Sequence, residues 1–353
     1  MSTKFNIKNL VRDNILDLKP YRSARDDFNS GVLLDANENS FGSPFENELE
    51  LNRYPMPYQE KLRSKIAQFR KVETDNVFVG VGSDEAIDLL FRIFCAPVKD
   101  RVIINPPTYG MYKVSANIND VQIDKVLLTE DFQLQTEKIL NRVTDFTKLI
   151  FVCSPNNPTA NDINRNDIIE LLENFDGLVV VDEAYIDFST QQSFASLVES
   201  YPNLVVLQTL SKAFGLAGIR LGIAIANPEV INYMLKVKAP YNINKLTAEA
   251  ALKGFDHIEQ VHENIAEINR EKERIIQSLG ELTQIEKVFP SDANFLLFRI
   301  DNAFEVYQML AKAGVIIRYR GNEPHCENCL RLTIGTPEEN NRFLEALDQV
   351  LKN

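Results

Sequence analysis

Leu178-Val179-Val180-Val181-Asp182-Glu183-Ala184-Tyr185 is a four-residue apolar run that delivers two carboxylates to its end. An apolar stretch this short, rich in β-branched residues, predicts a strand buried on both faces. Similar runs predict strands over Asn76–Val81, Arg101–Asn105, Lys148–Cys153, Leu204–Thr209 and Arg220–Ala226, alternating with helical patterns. That alternation reads as an α/β fold, a mainly parallel sheet wrapped by helices, in which ligands bind beyond the carboxyl ends of the strands. After about Tyr241 the pattern changes. Ile258, Val261, Ile265, Ile268, Ile275 and Leu279 share one helical face, predicting a long amphipathic helix. Strands are expected at Asn294–Ile300, Val315–Tyr319 and Leu330–Ile334, then a helix near Glu338–Leu351. The expected organisation is an N-terminal arm over residues 1–30 packing on the smaller domain, a large domain over 31–241, and a small α+β domain over 242–353.

The bulk properties suit a soluble globular protein. The chain has 353 residues, 44% hydrophobic and 25% charged, with 38 basic against 50 acidic side chains and a net charge of −12. This balance argues against nucleic acid or an anionic membrane as partner. The N-terminus carries no apolar segment of secretory type, and no run is long enough to cross a bilayer, so a cytoplasmic location is expected. The four cysteines, Cys95, Cys153, Cys326 and Cys329, are then expected as thiols.

Chemistry-bearing residues follow the strands. Ser211-Lys212-Ala213-Phe214-Gly215-Leu216-Ala217-Gly218-Ile219-Arg220 places a lysine just past an apolar strand, where burial or nearby cations lower its pKa and make it an amine nucleophile. Ser211 and Arg220 offer a hydroxyl and a guanidinium fork to a phosphate. A carboxylate at the buried position of Asp182 needs a cationic partner, and a protonated pyridine nitrogen would serve. With three histidines in the chain, a metal site is the weaker reading. Gly80-Val81-Gly82-Ser83-Asp84 is a strand–turn–helix junction with Ser83 as expected N-cap, suited to binding a phosphate. Ser154-Pro155-Asn156-Asn157-Pro158 is a stiff turn with a candidate cis bond at Asn157–Pro158. Tyr109, in a proline-stiffened loop, is placed to stack on a flat cofactor.

The ordered set GSDEAI (82–87), PPTYG (106–110), PNNPT (155–159), DEAY (182–185), SKAFGLAGIR (211–220) and LRLTIGT (330–336) resembles the fold-type I, pyridoxal-phosphate-dependent aminotransferases over nearly the whole chain. The resemblance implies that Lys212 forms a Schiff base with pyridoxal 5'-phosphate and shuttles the substrate's proton. Asp182 would pair with the pyridine nitrogen, Asn157 and Tyr185 would bind the ring hydroxyl, and Tyr109 would stack on the ring. Ser83, Asp84 through its backbone N–H, Ser211 and Arg220 would hold the phosphate. Arg331 would clamp the substrate carboxylate.

The segments LKPYRSAR (18–25), LDANEN (34–39) and Arg53-Tyr54-Pro55 are similar to histidinol-phosphate aminotransferases, class II within that group. This implies a homodimer in which Tyr54 reaches the neighbouring cofactor phosphate, with Asn37 at the substrate site. Tyr21 and the pair Arg318/Arg320, of which Arg318 is favoured, would lie near the substrate's phosphate. The implied reaction passes the amino group of glutamate to imidazole-acetol phosphate in histidine biosynthesis. Aromatic amino-acid aminotransferases and threonine-phosphate decarboxylases share nearly all the cofactor motifs, and a non-catalytic regulatory protein on the same scaffold would be expected to lack Lys212. The chain departs from the family pattern at Ser154 and Ala160, where asparagine and glycine are usual. The Cys326-x-x-Cys329 pair beside His325 reads as incidental, because it supplies too few ligands for a closed zinc site.

Overall fold

In the computed structural model, residues 5–28, 30–46 and 48–352 are described. Seven strands form the large sheet: β1 (Val77–Val81), β2 (Arg101–Ile104), β3 (Gln122–Lys125), β4 (Thr147–Cys153), β5 (Leu178–Asp182), β6 (Leu204–Thr209) and β7 (Leu221–Ala226). Their order is β1-β7-β6-β5-β4-β2-β3, with β7 antiparallel to both neighbours and the rest parallel. Strand β3 was not foreseen, because Gln122-Ile-Asp-Lys125 at the sheet edge is half exposed and lacks an apolar run. On β5 the side chains alternate between two cores: Leu178 and Val180 face one, Val179 and Val181 the other. Alternation therefore separates the two acids. Asp182 continues the face that carries Phe151, Cys153 and Tyr112. Glu183 turns away and is held by Ser193, the Phe194 amide (2.6 Å) and Gln208 (2.8 Å).

A second, antiparallel sheet of order β10-β11-β9-β8 comprises β8 (Ile285–Val288), β9 (Phe295–Ile300), β10 (Arg318–Tyr319) and β11 (Cys329–Thr333). The helix Ile258–Gly280 and the C-terminal helix Pro337–Leu351 cover it around a core of Ile275, Leu279, Phe298 and Phe343. The expected strand over Val315–Tyr319 shortens to two paired residues. Register sets Arg318 opposite Arg331.

Two expectations about organisation need correction. Ile7, Val11 and Ile15 bury on the large domain, in the core with Phe94 and Met234, and not on the smaller one. Polar links reinforce this packing: the Arg12 amide donates to Ile93 O (3.0 Å), and Lys236 Nζ donates to Ile15 O (2.7 Å) and Leu16 O (2.9 Å). The handover between domains also lies later than Tyr241, since Ile243, Ala251 and Phe255 belong to the large-domain core. The long helix itself spans the junction, its Val261 in the large core and its Ile275 in the small one.

One close approach ties sheet to site. A Cβ on Gly222 of β7 would lie 2.0 Å from the Gly82 carbonyl carbon and 2.1 Å from the Ser83 nitrogen. Gly82 has φ +71°, and its amide donates to Arg220 O (2.8 Å), so the turn is pressed flat on the strand. Gly222→Ala is expected to cost about 1–3 kcal/mol by overpacking, and to displace the Gly82–Ser83 turn. Chemical denaturation of the variant, unchanged from the parent, would contradict this packing.

Candidate active site

The carboxyl ends of β4, β5 and β6, the β1 turn and the start of the second sheet enclose a cavity of about 520 Å³. At its floor lies Asp182, 2% exposed. Its Oδ1 accepts from the Ala184 amide (3.1 Å) and its Oδ2 from the Tyr112 hydroxyl (2.7 Å). Burial pushes its carboxyl up to about 6, while those two donors pull the other way.

Lys212 follows β6 and extends into the cavity, its Nζ 5.5 Å from the centre of the Tyr185 ring. The side chain is exposed to the cavity although most of its surroundings are protein. Burial, then Arg331 and Arg220, push its pKa below that of an ordinary lysine, with Asp182 and Asp84 opposing. Ser211 lies in the same loop, its Oγ accepting from Thr209 Oγ1 (2.9 Å).

The β1 turn supplies Ser83 and Asp84. The helix Gly82–Phe94 is capped at Val81, so Ser83 is the second helical residue and not the N-cap, because the glycine turn brings the chain into helical geometry one step early. The Asp84 side chain is engaged, not only its backbone: Tyr109 Oη donates to Oδ1 (3.1 Å), and Arg220 Nη2 stands 3.6 Å from Oδ2. Arg220 adopts left-handed backbone (φ +53°) at the foot of β7, which turns its guanidinium back over Gly82.

The opposite wall comes from the smaller domain. Arg331 on β11 donates through Nη1 to Asn157 Oδ1 and lies 5.2 Å over the Phe295 ring. Burial, then Arg320, lower its pKa to about 10. Arg318 and Arg320 both line the cavity. Arg318 is exposed at the rim, whereas Arg320 is more enclosed, with a buried Nε that lacks a partner. Asn157 sits on the turn after β4, and the Asn157–Pro158 bond is cis. Its neighbour Asn156 stitches the turn to the Tyr109 loop by donating to Pro107 O (2.9 Å) and Thr159 Oγ1 (2.7 Å).

Three expected residues are not in this cavity. Tyr54 and Asn37 line a separate depression, and Tyr21 lies in a third beside Tyr58 and Tyr241. Tyr54 stacks on Tyr241, centroids 4.7 Å apart, and remains 49% exposed. All three belong to residues 20–56, of which none of the described residues joins the hydrophobic cores of the chain. Glu38, which the sequence reading passed over, organises this segment. Its carboxylate accepts from the Tyr54 amide (2.6 Å), Arg53 Nη1 (2.9 Å) and Arg25. Although burial opposes it, those donors hold Glu38 at about 2. Tyr112, on the helix Met111–Ile118 just after the Tyr109 loop, was missed as well. Cys326 and Cys329 are buried free thiols behind Arg320.

Comparison with known proteins places this geometry. The family model described as aminotransferase class I and II matches residues 28–347. A histidinol-phosphate aminotransferase of Flavobacterium johnsoniae is 49% identical over 341 residues, spanning 95% of this chain and 96% of that one. Another, from Flavobacterium psychrophilum, is 48% identical over 97% of this chain and 98% of its own length. Among solved structures, the histidinol-phosphate aminotransferase from Clostridium acetobutylicum matches with a TM-score of 0.79 at 27% identity, covering 86% of this chain and 92% of that chain. With a family model over most of its length and relatives near half identical end to end, the chain belongs to the class I and II aminotransferase family, among the histidinol-phosphate aminotransferases.

Proposed function

We propose that this enzyme moves the amino group of glutamate to imidazole-acetol phosphate, giving L-histidinol phosphate and 2-oxoglutarate, as a step of histidine biosynthesis. The observation that carries the reading is Arg318, Arg320 and Arg331 lining the cavity into which Lys212 extends above Asp182. An enzyme of net charge −12 has gathered cations where an anionic substrate would meet its reactive amine.

The cofactor is pyridoxal 5'-phosphate, and the donor set fits it. A buried carboxylate suits a pyridine nitrogen, a turn pressed on Gly222 leaves backbone amides for a phosphate, and Lys212 supplies an amine of lowered pKa. When bound, the cofactor supplies an aldehyde carbon that takes up the amino group and a ring that draws electrons from the substrate's Cα. Lys212 Nζ would hold the cofactor and would serve as the base that takes the proton at the substrate's Cα. Asp182 would hold the ring nitrogen protonated, and Tyr109 would lie against the ring face. Ser83, the Asp84 amide, Ser211 and Arg220 would hold the phosphate, with the Asp84 side chain bracing Tyr109 and Arg220. Asn157 and Tyr185 would take the ring hydroxyl. Arg331 would grip the carboxylate of glutamate, and Arg320, with Arg318 at the rim, the phosphate of the other substrate.

The same reading makes the enzyme a cytoplasmic homodimer. Phe28, Val32, Leu34 and Phe41, in the same stretch of chain as Tyr54, are 73%, 87%, 78% and 102% exposed, apolar side chains that a second copy would cover. Tyr54 would then reach the partner's cofactor phosphate, with Tyr21 and Asn37 completing the substrate site from this segment. No helix among the described residues is long and apolar enough to cross a membrane.

A substrate panel tests the assignment: brisk turnover is expected with imidazole-acetol phosphate, and none there with good activity on phenylpyruvate overturns it. Lys212→Ala should abolish the visible absorbance band of the loaded enzyme and lower kcat by about 10²–10⁴ or more, the range for a lost general base. Co-expressed with Tyr54→Phe, it should form hybrids more active than the mean of the two parents. Activity at that mean would refute a shared site.

Asp182 also has a pH signature. In the cofactor-free protein its pKa of about 6 exceeds the unfolded value of about 3.9. The folded state therefore gains stability from this group as pH falls through 6, and bears the cost of a buried charge above it. Cofactor-free Asp182→Asn should accordingly melt above its parent at pH 8, with the difference shrinking as pH falls through 6. The cofactor should stabilise the variant less than the parent. A lower melting midpoint for the variant at pH 8 sinks the assignment of that cost.

A further inference from the structure

Tyr112 is completely buried, and its position is set on three sides. Its ring stacks on Phe151 of β4 at 4.8 Å and 18°. The edge of the same ring system meets Tyr109 at 5.6 Å and 84°. Its hydroxyl donates to Asp182 Oδ2 at 2.7 Å, and Cys153 lies close to that hydroxyl as well. The residue therefore joins the acid under the cavity to the ring expected to lie over the cofactor.

We propose that Tyr112 is a positioning residue whose hydroxyl holds the Asp182 carboxylate, charged and in one orientation, against the ring nitrogen of the cofactor. The inference rests on the reading of Asp182 as the partner of that nitrogen. A carboxylate in an apolar core has two ways to lower its energy: take a proton or collect donors. The protonated form is useless here, because it cannot balance a protonated pyridine nitrogen. Asp182 has two donors within the chain, the Ala184 amide on Oδ1 and Tyr112 on Oδ2. Together they fix the plane of the carboxylate as well as its charge. Of the charged groups facing it, Asp84 disfavours the charge and Lys212 favours it, while Cys153, Tyr109 and Tyr185 stand nearby as neutral groups. Burial and the facing carboxylate keep the proton on Tyr112, so it acts as a fixed donor and not as an acid. Removing the hydroxyl would leave the anion with a single donor and free to swing toward Cys153.

The test compares two ligands of the purified protein: pyridoxal phosphate and its analogue with carbon in place of the ring nitrogen. The wild type should bind the natural cofactor more tightly, because the analogue offers Asp182 nothing to pair with. In Tyr112→Phe the ring packing stays and only the donor goes, so this preference should narrow about tenfold, the size of one hydrogen bond to a charged group. A merely structural role would weaken both ligands alike. Parallel weakening, or an unchanged preference, overturns the assignment of Tyr112. Equal binding of both ligands by the wild type overturns the reading of Asp182 itself, and this inference with it. Should Tyr112→Phe fail to fold, 3-fluorotyrosine at position 112, a stronger donor of nearly the same shape, should widen the preference. No widening counts against the proposal.

Discussion

A carboxylate placed at the end of a strand with apolar neighbours on both sides must be compensated locally or lose its charge, and Asp182 is such a group. Much of the site can be read as that compensation. The Ala184 amide is aimed by the turn that follows β5, and Tyr112 is aimed by a helix whose own buried face is anchored on Phe151. These two donors do not suffice: burial still pushes the carboxyl up to about 6. The remaining deficit is what a cationic ring nitrogen would fill, so the energetic cost built into the fold becomes affinity for the cofactor.

Around this acid the cations are arranged to repel one another. Arg331, Arg320 and Lys212 all have pKa values lowered by burial, and neighbouring positive charges add to that. Such a cluster is unfavourable in itself and is relieved by anions, which the substrates of the proposed reaction supply as carboxylates in one case and a phosphate in the other. The same repulsion would serve the proposed role of Lys212, because an amine must shed its proton before it can attack. The bond between Arg331 and Asn157 crosses from the smaller domain to the turn beneath the cavity. The two domains are therefore in register at the point where substrate and cofactor would meet.

The large sheet, the long helix and most of the small sheet were legible in the sequence, because apolar periodicity reports burial directly. Edge strands β3 and β8 were not, since neither buries enough side chain to leave a pattern, and the expected strand around β10 shortened to two residues. The packing of residues 5–16 was misjudged for a related reason. Ile7, Val11 and Ile15 announce a buried face but not which core receives it.

The sequence by itself determined which residue types stand at the strand ends: a lysine, an acid, an asparagine turn and a glycine turn, in an order specific enough to identify the family. Those are local facts, carried by neighbours along the chain. Only the tertiary structure decided that Tyr112 donates to Asp182, that Glu38 gathers Arg25, Arg53 and the Tyr54 amide, and that Asp182 lines the cavity while Glu183 turns to Ser193 and the Phe194 amide. It also separated Tyr54, Asn37 and Tyr21 from the cavity of their own chain. These depend on which face of a strand points where and on contacts between segments far apart in sequence, and no single-chain periodicity encodes them.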